Sequence, residues 1–284
     1  MQEPYGSGPM IADRLGYSFY LRSSNLSVLS RYPIEQTHDL YQPFRLGGVT
    51  LRLNEHQRMN VFSLWIHYLP AWRRDARDSE ATAQSLIDAE WTTRASELKE
   101  ILGELKPFID ASDKTPLIVG GDFNSPSSLD WTQATASWHN GLIVDWPVSR
   151  QMLDAGFTDS YRAIHPDPSQ HQEHDLWDAD AERLTYRIDY LYSHGKGITP
   201  EASRMMNTHN NTWASDHPAV LSSFNLGAPD IGIISYNILE GFKNARSERF
   251  PAGSERQAAV SDWLAEQAPA IVGFQELNGY TEER

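Results

Sequence analysis

The sequence contains no cysteine among its 284 residues, which excludes disulfides, zinc–thiolate sites and cysteine nucleophiles. Any metal ion must therefore be bound through oxygen and nitrogen ligands. Apolar runs long enough to cross a membrane are also lacking, since even Ile231 to Ile234 falls far short of a span. Residues 1 to 10 lack the basic stretch and apolar run of a secretory signal. The sequence predicts a soluble protein and leaves its compartment and oligomeric state open.

Basic residues are scarce relative to acidic ones. The chain has 24 Lys and Arg against 38 Asp and Glu, which gives a formal net charge of −14. This balance argues against nucleic-acid binding through a broad basic surface. It does not exclude an acidic nuclease that uses divalent cations, and most of the surplus carboxylates are expected on a solvated surface.

Core-forming residues are plentiful, because hydrophobic residues make up 40% of the chain and include nine Trp and twelve Tyr. This content argues against global disorder, and we expect residues 1–284 to form one large domain. Short runs that are rich in β-branched and aromatic residues and end at Gly, Pro, Asn or Asp predict strands. These runs are Leu26 to Ser30, Met59 to Ile66, Pro116 to Gly120, Tyr186 to Tyr192, Ala219 to Phe224, Ile231 to Ile238 and Ala270 to Phe274.

Two stretches have helical patterns. Apolar residues spaced three and four apart predict a helix from about Ser79 to Lys106, which Pro107 is expected to end. Capping-box spacing that starts at Ser254 predicts a second helix, with Pro269 as its stop. We expect both helices to cover sheet faces.

The fold class follows from the balance of these elements. The stretch Arg45 to Leu53, around Gly47-Gly48, predicts a tight hairpin. The polar segment Pro147 to Glu182 predicts a long loop region. Many strands with few helices indicate an α+β sandwich rather than a strictly alternating βα fold.

A first group of polar residues follows the predicted strand that ends at Gly120. The sequence continues Gly121-Asp122-Phe123-Asn124, which presents a carboxylate and an amide two residues apart, so both can point to one place above the sheet edge. An Asx turn, in which these side chains only satisfy backbone donors, is an equally good interpretation of this motif alone.

A second group combines Asp189 with Ser215-Asp216-His217. A carboxylate in the middle of an apolar strand is costly to bury without a partner, and His217 is the natural candidate for Asp189. An Asp–His pair fixes the imidazole tautomer and raises its basicity, which suits the activation of a water molecule. The alternative is that Asp216 and His217 cap a turn.

A third group lies at the ends of other strands. Asn237 and Glu276 each follow an apolar run, and an amide and a carboxylate in such positions suit a hard cation with oxygen ligands. His67 ends the strand Met59 to Ile66. A lone histidine at a strand end is more often structural than catalytic.

Together these motifs resemble those of the endonuclease/exonuclease/phosphatase superfamily, which includes deoxyribonuclease I, exonuclease III, sphingomyelinases and inositol polyphosphate 5-phosphatases. The family pattern is Asn, Gln-Glu, a mid-chain His, Gly-Asp-x-Asn, an Asp strand and Ser-Asp-His. The resemblance implies a two-layer β-sandwich flanked by helices, like that of deoxyribonuclease I. The matching residues are Asn237, Glu276, His67, Asp122 with Asn124, Asp189, and Asp216 with His217, and Ser30-Arg31-Tyr32-Pro33-Ile34 resembles a Ser-Arg-x-Pro-Ile stretch of the family.

The order of the motifs departs from the family order. The Asn237 and Glu276 motifs, which should open the domain, follow the Ser-Asp-His motif instead. The chain therefore looks circularly permuted, with residues 225–230 as the loop that joins the family's last and first strands. Such rearrangements are tolerated when the joined ends lie close together in the fold.

The resemblance implies hydrolysis of a phosphoester by in-line attack of water, assisted by Mg²⁺ or Mn²⁺. Glu276 is the implied main metal ligand, with Asn237 and Asp216 nearby as a second ligand or as supporting groups. Such a cation neutralises charge on phosphate oxygens and stabilises the leaving alkoxide.

The remaining motif residues are implied to act on water and on the phosphoryl group. His217, oriented by Asp189, would activate the water. Asp122 and Asn124 would position the water and the phosphate, and His67 would donate a hydrogen bond or proton to the phosphoryl group or the leaving oxygen.

The substrate class is open in part. The presence of both His67 and His217 resembles the deoxyribonuclease I, sphingomyelinase and phosphatase branches of the family more than the abasic-site endonucleases, which favours a general phosphodiesterase or phosphatase. Metal-dependent cleavage of DNA or RNA is one alternative, and a binding module that kept the fold without activity is another. Candidate substrate contacts are Tyr68, Trp72, Arg73 and Arg31, although Trp72 fits a buried loop residue equally well. A zinc site formed by His165, His171, His174 and Asp175 is a further, less favoured alternative.

Overall fold

The computed structural model describes residues 7–170, 187–207, 213–227, 230–239 and 253–277. These residues contain two mixed six-stranded sheets. The first sheet has the spatial order β1 (Ser18–Leu21), β2 (Ser27–Ser30), β12 (Ile271–Gln275), β11 (Ile231–Asn237), β10 (Ala219–Asn225) and β9 (Thr199–Met206). The second has the order β3 (Ile34–His38), β4 (Leu46–Arg52), β5 (Arg58–Trp65), β6 (Leu117–Asp122), β8 (Asp189–His194) and β7 (Thr158–Asp159).

Helices cover the outer faces of the sheets. The α-helices within the described ranges are α1 (Ser7–Leu15), α2 (Trp72–Asp75), α3 (Ala83–Trp91), α4 (Arg94–Ala111), α5 (Pro147–Asp154), α6 (Ser160–Ile164) and α7 (Gly253–Gln267). In that part of the chain we find no helix with the length and apolar character needed to cross a membrane.

Because side chains alternate along the strands, each sheet packs one face against the other sheet and its other face against helices. Ile118 packs between the sheets, whereas its neighbours Leu117 and Val119 pack on the other face, against α4 and α5. In the first sheet, Ile233 faces the second sheet and Ile234 packs with α1 and α7. The result is a layered α/β/β/α arrangement, which confirms the predicted α+β sandwich flanked by helices.

The strand register brings several chain segments to one end of the sandwich. Asp122 at the end of β6 pairs with Asp189 at the start of β8 and with Trp65 at the end of the parallel strand β5. In the first sheet, the parallel strands β11 and β12 end side by side, with Asn237 opposite Gln275. The polar residues that follow these strands are therefore neighbours in space.

The predicted hairpin at Arg45 to Leu53 is wrong, because β4 runs straight through Gly47 and Gly48. A Cβ atom on Gly48 would lie 2.3 Å from the ring of Phe62, so this glycine provides room for a neighbouring side chain and does not form a turn. The Gly-Gly pair alone could not distinguish a tight turn from a tight contact.

The long predicted helix is present as two helices, α3 and α4, and Pro107 lies inside α4. Leu105, Phe108 and Ile109 all pack into the same core, and this burial offsets the backbone hydrogen bond that Pro107 cannot donate. The segment predicted as a loop from Pro147 contains α5 and α6.

Other predictions fall on or beyond the edges of the described residues. The predicted strand from Tyr186 is described from Arg187 onward, and the second predicted helix is present as α7, although the side chain of Ser254 lies outside the description. His171, His174 and Asp175 lie outside the described residues. In the predicted joining segment, residues 228–229 also lie outside them.

Candidate active site

Asp122 is placed by the close approach of β5 and β6. A Cβ atom on Gly121 would lie 2.0 Å from the carbonyl oxygen of Leu64, so only glycine fits directly before Asp122. Beyond the strand, the backbone turns at Asn124 with a positive φ of 50°. The Asn124 backbone N–H donates to Asp122 Oδ1 at 2.8 Å, and its side-chain amide donates to Oδ2 at 3.0 Å. The motif therefore forms the Asx-type turn and also delivers a buried carboxylate to the sheet edge.

His217 is paired with Asp189, as the sequence predicts. The imidazole Nδ1 lies 2.7 Å from Asp189 Oδ2, and both side chains are almost completely buried. One potential ligand atom from each of Asp122, Asp189 and His217 lies within 4.8 Å of the other two. Three segments that are far apart in the chain thus form one group that could hold a metal ion.

Asn237 connects the two sheets at this group. Its side-chain NH2 donates to Glu276 Oε1 at 3.0 Å and to Asp122 Oδ2 at 3.1 Å, while its Oδ1 accepts the Leu239 backbone N–H at 3.1 Å. The amide therefore presents donors to two carboxylates and orients them. This geometry agrees with the supporting role that the resemblance implies for Asn237, and its alternative role as a second metal ligand stays a prediction.

Glu276 follows β12 in a left-handed backbone conformation with φ 54°. Its backbone N–H donates to Asn25 Oδ1 at 2.9 Å, and its carboxylate is half-buried beside Asn237. Asp216 lies near the Nε2 atom of His217, whereas Asp189 contacts the Nδ1 atom of the same ring, and the distance from Asp216 Oδ1 to Nε2 is 4.0 Å. Ser215 supports this loop because its hydroxyl donates to the Asn237 carbonyl at 2.6 Å and accepts the His217 N–H at 3.1 Å.

His67 lies two residues after the end of β5, the strand that pairs with β6 and its last residue Asp122. The Ile66 N–H donates to the Asp122 carbonyl at 3.0 Å, and the Asn124 amide donates to the Ile66 carbonyl at 2.9 Å. His67 Nδ1 accepts the Leu69 N–H at 3.0 Å. Burial lowers the pKa of His67, and the nearby Arg45 guanidinium lowers it further. The imidazole is therefore neutral, with its proton on Nε2.

The electrostatics of the group suit a cation. Burial raises the pKa of Asp122 well above its ordinary value, and the negative charges of Asp189 and Glu276 add to this shift, while His217 opposes it. Carboxylate oxygens are the ligands that Mg²⁺ and Mn²⁺ prefer. A divalent cation beside these carboxylates would offset their mutual repulsion, so the donor set fits the predicted metal.

The predicted substrate contacts separate into two groups. Tyr68 is 45% exposed and its ring stacks on His67 with centroids 4.9 Å apart, so it borders the site. Trp72 is only 4% exposed, and its indole N–H donates to the Asn124 carbonyl at 3.0 Å. Trp72 is therefore buried, as in the alternative interpretation, although it begins α2 and does not lie in a loop. The guanidinium of Arg73 lies 5.6 Å from the centroid of its ring.

Arg31 lies at the other end of the first sheet. Its side chain donates to Tyr17 Oη at 2.8 Å and to the Ala268 carbonyl at 2.7 Å. Its backbone pairs with Ala270, which precedes β12, whereas Glu276 follows that strand. At about 3.3 Å per residue, the separation is about 20 Å. Arg31 therefore lies at the opposite end of β12 from Glu276, and its substrate-binding role stays a prediction.

Sequence reasoning missed two buried arginines that hold the site. Arg187 binds two carboxylates just before β8 and so anchors the segment that carries Asp189. Arg256 in α7 donates to the Ala214 carbonyl at 2.8 Å and to the Ile238 carbonyl at 2.8 Å, which ties together the loops that hold His217 and Asn237. A signal for Arg256 exists, because it lies four residues before Val260 on the apolar face of its helix.

Comparisons with known proteins extend these findings, although no protein-family model matches the chain. A protein of unassigned function from Caenorhabditis elegans is 26% identical over an alignment of 198 positions that covers 62% of this chain and 63% of that protein. The chain thus spans less than two thirds of this relative. Among solved structures, an AP endonuclease from Archaeoglobus fulgidus matches with a TM-score of 0.50 and 15% identity, over 75% of this chain and 81% of that one.

A 3′ phosphatase, NExo, from Neisseria also matches, with a TM-score of 0.44 and 17% identity over 79% of this chain and 85% of that one. The two sheets, the helical layers and the match to the AP endonuclease agree with the sandwich fold that the motif resemblance implies. The described residues therefore have an α+β sandwich fold similar to that of the AP endonuclease.

Proposed function

We propose that the chain is a divalent-metal-dependent hydrolase of phosphoester bonds, a phosphodiesterase or phosphatase that uses an activated water molecule. The observation that carries this proposal is the convergence of Asp122, Asp189 and His217, whose ligand atoms lie within 4.8 Å of one another at one end of the sandwich. A buried acid–histidine pair beside a further buried carboxylate is an arrangement that suits the activation of water for hydrolysis.

His217 is the proposed general base. Because Nδ1 lies 2.7 Å from Asp189 Oδ2, the proton of the neutral imidazole resides on Nδ1, and Nε2 carries the lone pair. Nε2 can then take a proton from a water molecule as that water attacks phosphorus. Asp189 holds the ring in this tautomer and stabilises the imidazolium that forms.

His67 is the proposed donor to the phosphoryl group. The Leu69 N–H occupies the lone pair on Nδ1, so the ring proton lies on Nε2. The lowered pKa keeps His67 neutral, and a neutral imidazole can donate a hydrogen bond without a formal charge. Asp122 and Asn124, joined by two hydrogen bonds, would position the attacking water and the phosphate.

Glu276 is the proposed main ligand of Mg²⁺ or Mn²⁺, with Asp216 as a proposed second ligand or supporting group and with Asn237 orienting the Glu276 carboxylate through its NH2 group. When bound, the cation supplies Lewis-acid stabilisation of charge on phosphate and leaving-group oxygens. A bound cation would also counter the formal charge of −14, which on its own disfavours the approach of an anionic substrate.

Hydrolysis of bis-p-nitrophenyl phosphate and p-nitrophenyl phosphate tests this proposal. We expect turnover with Mg²⁺ or Mn²⁺ that EDTA abolishes and that Asp189→Asn reduces strongly. Parallel assays on DNA and RNA test for a nuclease. Failure to hydrolyse any of these phosphoesters with either metal would contradict the proposal and favour the alternative of a binding module with this fold.

We also propose that the chain is a circular permutant of the family order and that residues 1–284 form one domain. The antiparallel pairing of β10 with β11 supports the first part, because it places the Ser-Asp-His strand beside the strand that ends at Asn237. A single calorimetric unfolding transition would support the second part, whereas two transitions would contradict it.

A further inference from the structure

Trp65 contacts the proposed metal ligand from the opposite sheet. Its indole N–H donates to Glu276 Oε1 at 3.3 Å, the same oxygen that accepts the Asn237 amide. Trp65 shares an inward face of β5 with Ser63, which donates to the Phe274 carbonyl at 3.2 Å. Two alternate residues of the second sheet therefore hold the end of β12 in the first sheet.

The indole itself is fixed by its neighbours. Trp65 is buried, Phe44 packs edge-on against it with ring centroids 5.5 Å apart, and the Arg45 guanidinium lies 4.8 Å from its centroid. Arg45 is in turn held by Glu97, with Nε 2.9 Å from a carboxylate oxygen. The stack and the ion pair define the direction in which the indole N–H points.

The same Glu97 carboxylate also holds the other side of the site. Its second oxygen accepts the backbone N–H of His67 at 2.9 Å, directly after the strand that carries Trp65. One sequence of contacts therefore runs from His67 through Glu97, Arg45 and Trp65 to Glu276. The sequence motifs of the family account for only the two ends of this path.

We infer that Trp65, with Arg45 and Glu97 behind it, is a positioning residue that fixes the Glu276 carboxylate for cation binding and couples its placement to that of His67. This inference rests on the proposed function, because it takes Glu276 as the cation ligand. Groups that orient a metal ligand through a hydrogen bond commonly change metal affinity about 10- to 100-fold when they are removed.

Direct binding of Mn²⁺ to the full-length chain, measured by electron paramagnetic resonance without substrate, tests the inference. Trp65→Phe removes the indole N–H but keeps an aromatic ring beside Phe44 and Arg45. We expect its Mn²⁺ dissociation constant to rise about 10-fold. Trp91→Phe is the matched control, because Trp91 is 44% exposed at the end of α3, and it should bind Mn²⁺ like the wild type.

Arg45→Lys provides a second test if Trp65→Phe does not fold, because it keeps the positive charge opposite Glu97 and loses the planar stack. We expect a smaller rise in the same constant. In turnover assays, the Mn²⁺ activation constant of Trp65→Phe should rise while kcat at saturating Mn²⁺ largely recovers. A merely structural role would lower kcat and leave the activation constant unchanged.

The outcomes separate the two proposals. If the wild type binds no Mn²⁺, the proposed function itself fails. If the wild type binds Mn²⁺ and the Trp65 and Arg45 variants bind it equally well, the function stands and the positioning role of Trp65 is wrong.

Discussion

Replacing Arg187 with methionine should strongly destabilise the protein. The guanidinium makes four hydrogen bonds to Asp130 and Asp159 at 2.8 to 3.3 Å. It also lies 4.9 Å from the ring centroid of Tyr161 and 5.0 Å from that of Tyr190. All three charged side chains are almost completely buried. The positive charge of Arg187 therefore offsets the cost of burying the negative charges of Asp130 and Asp159.

The magnitude follows from the burial. Removal of one partner of a buried ion pair leaves an uncompensated charge and costs about 3–5 kcal/mol. Arg162 still binds Asp130 at 2.5 Å, and two backbone N–H groups still cap Asp159, so we expect the lower part of this range, about 3 kcal/mol. Because Arg187 precedes Asp189 by two residues, loss of this anchor should also reduce hydrolysis at temperatures where the variant is folded.

Urea unfolding followed by tryptophan fluorescence measures the change in the free energy of unfolding. Arg150→Met is the matched control: its partner Asp145 is exposed, so the change should stay within about 1 kcal/mol. In the background of Asp130→Asn, Arg187→Met should cost less than it does alone, since one buried charge has gone. If Arg187→Met destabilises no more than Arg150→Met, the argument from buried charge is refuted.

Three further predictions concern the site and its support. His217→Ala and Asp122→Ala should each lower the rate of metal-dependent hydrolysis at least about 100- to 1,000-fold while circular dichroism remains unchanged, and near-wild-type rates would contradict the assignment. Gly121→Ala should destabilise the fold by about 1–3 kcal/mol because its Cβ atom would meet the Leu64 carbonyl. Gly103→Ala should instead stabilise the fold by about 0.5–1 kcal/mol, because Gly103 lies within α4 and an added Cβ atom would meet no neighbour. Equal denaturation midpoints for the two variants would contradict this contrast. Burial alone would raise the pKa of Asp130, but Arg187 and Arg162 outweigh burial and hold this pKa below its ordinary value. Asp130 therefore stabilises the fold at pH values above its pKa in the unfolded chain, and this contribution is lost as the pH falls through its pKa in the folded protein. Urea midpoints measured over a pH series should show this loss in the wild type and a weaker loss in Asp130→Asn.

Much of the strand pattern and the central group could be predicted from local sequence. The runs before Asp122, Asn237 and Glu276 form strands, as their β-branched and apolar residues predict. Because a buried carboxylate needs a partner, the sequence also predicted the contact between Asp189 and His217, and the structure contains it. These inferences succeed because burial of charge and backbone pairing impose the same requirements in any fold.

Other features depend on packing between distant segments. Gly48 suggested a turn, yet its lack of a side chain serves the ring of Phe62 on the neighbouring strand. Arg31 matched a family stretch, yet β12 runs the length of the sheet between it and Glu276. Trp72 stood beside the site in sequence, yet its indole is buried beneath Asn124.

The sequence by itself determined the fold class and the absence of thiol chemistry, and it singled out the polar residues Asp122, Asp189 and His217 that the structure brings together. Only the tertiary structure decided how those residues are held. Arg187 lies 57 residues from Asp130 and 28 from Asp159, and Trp65 lies 211 residues from Glu276. No periodicity or motif spacing encodes such pairs, because they form only when the two sheets pack and bury their polar groups against each other.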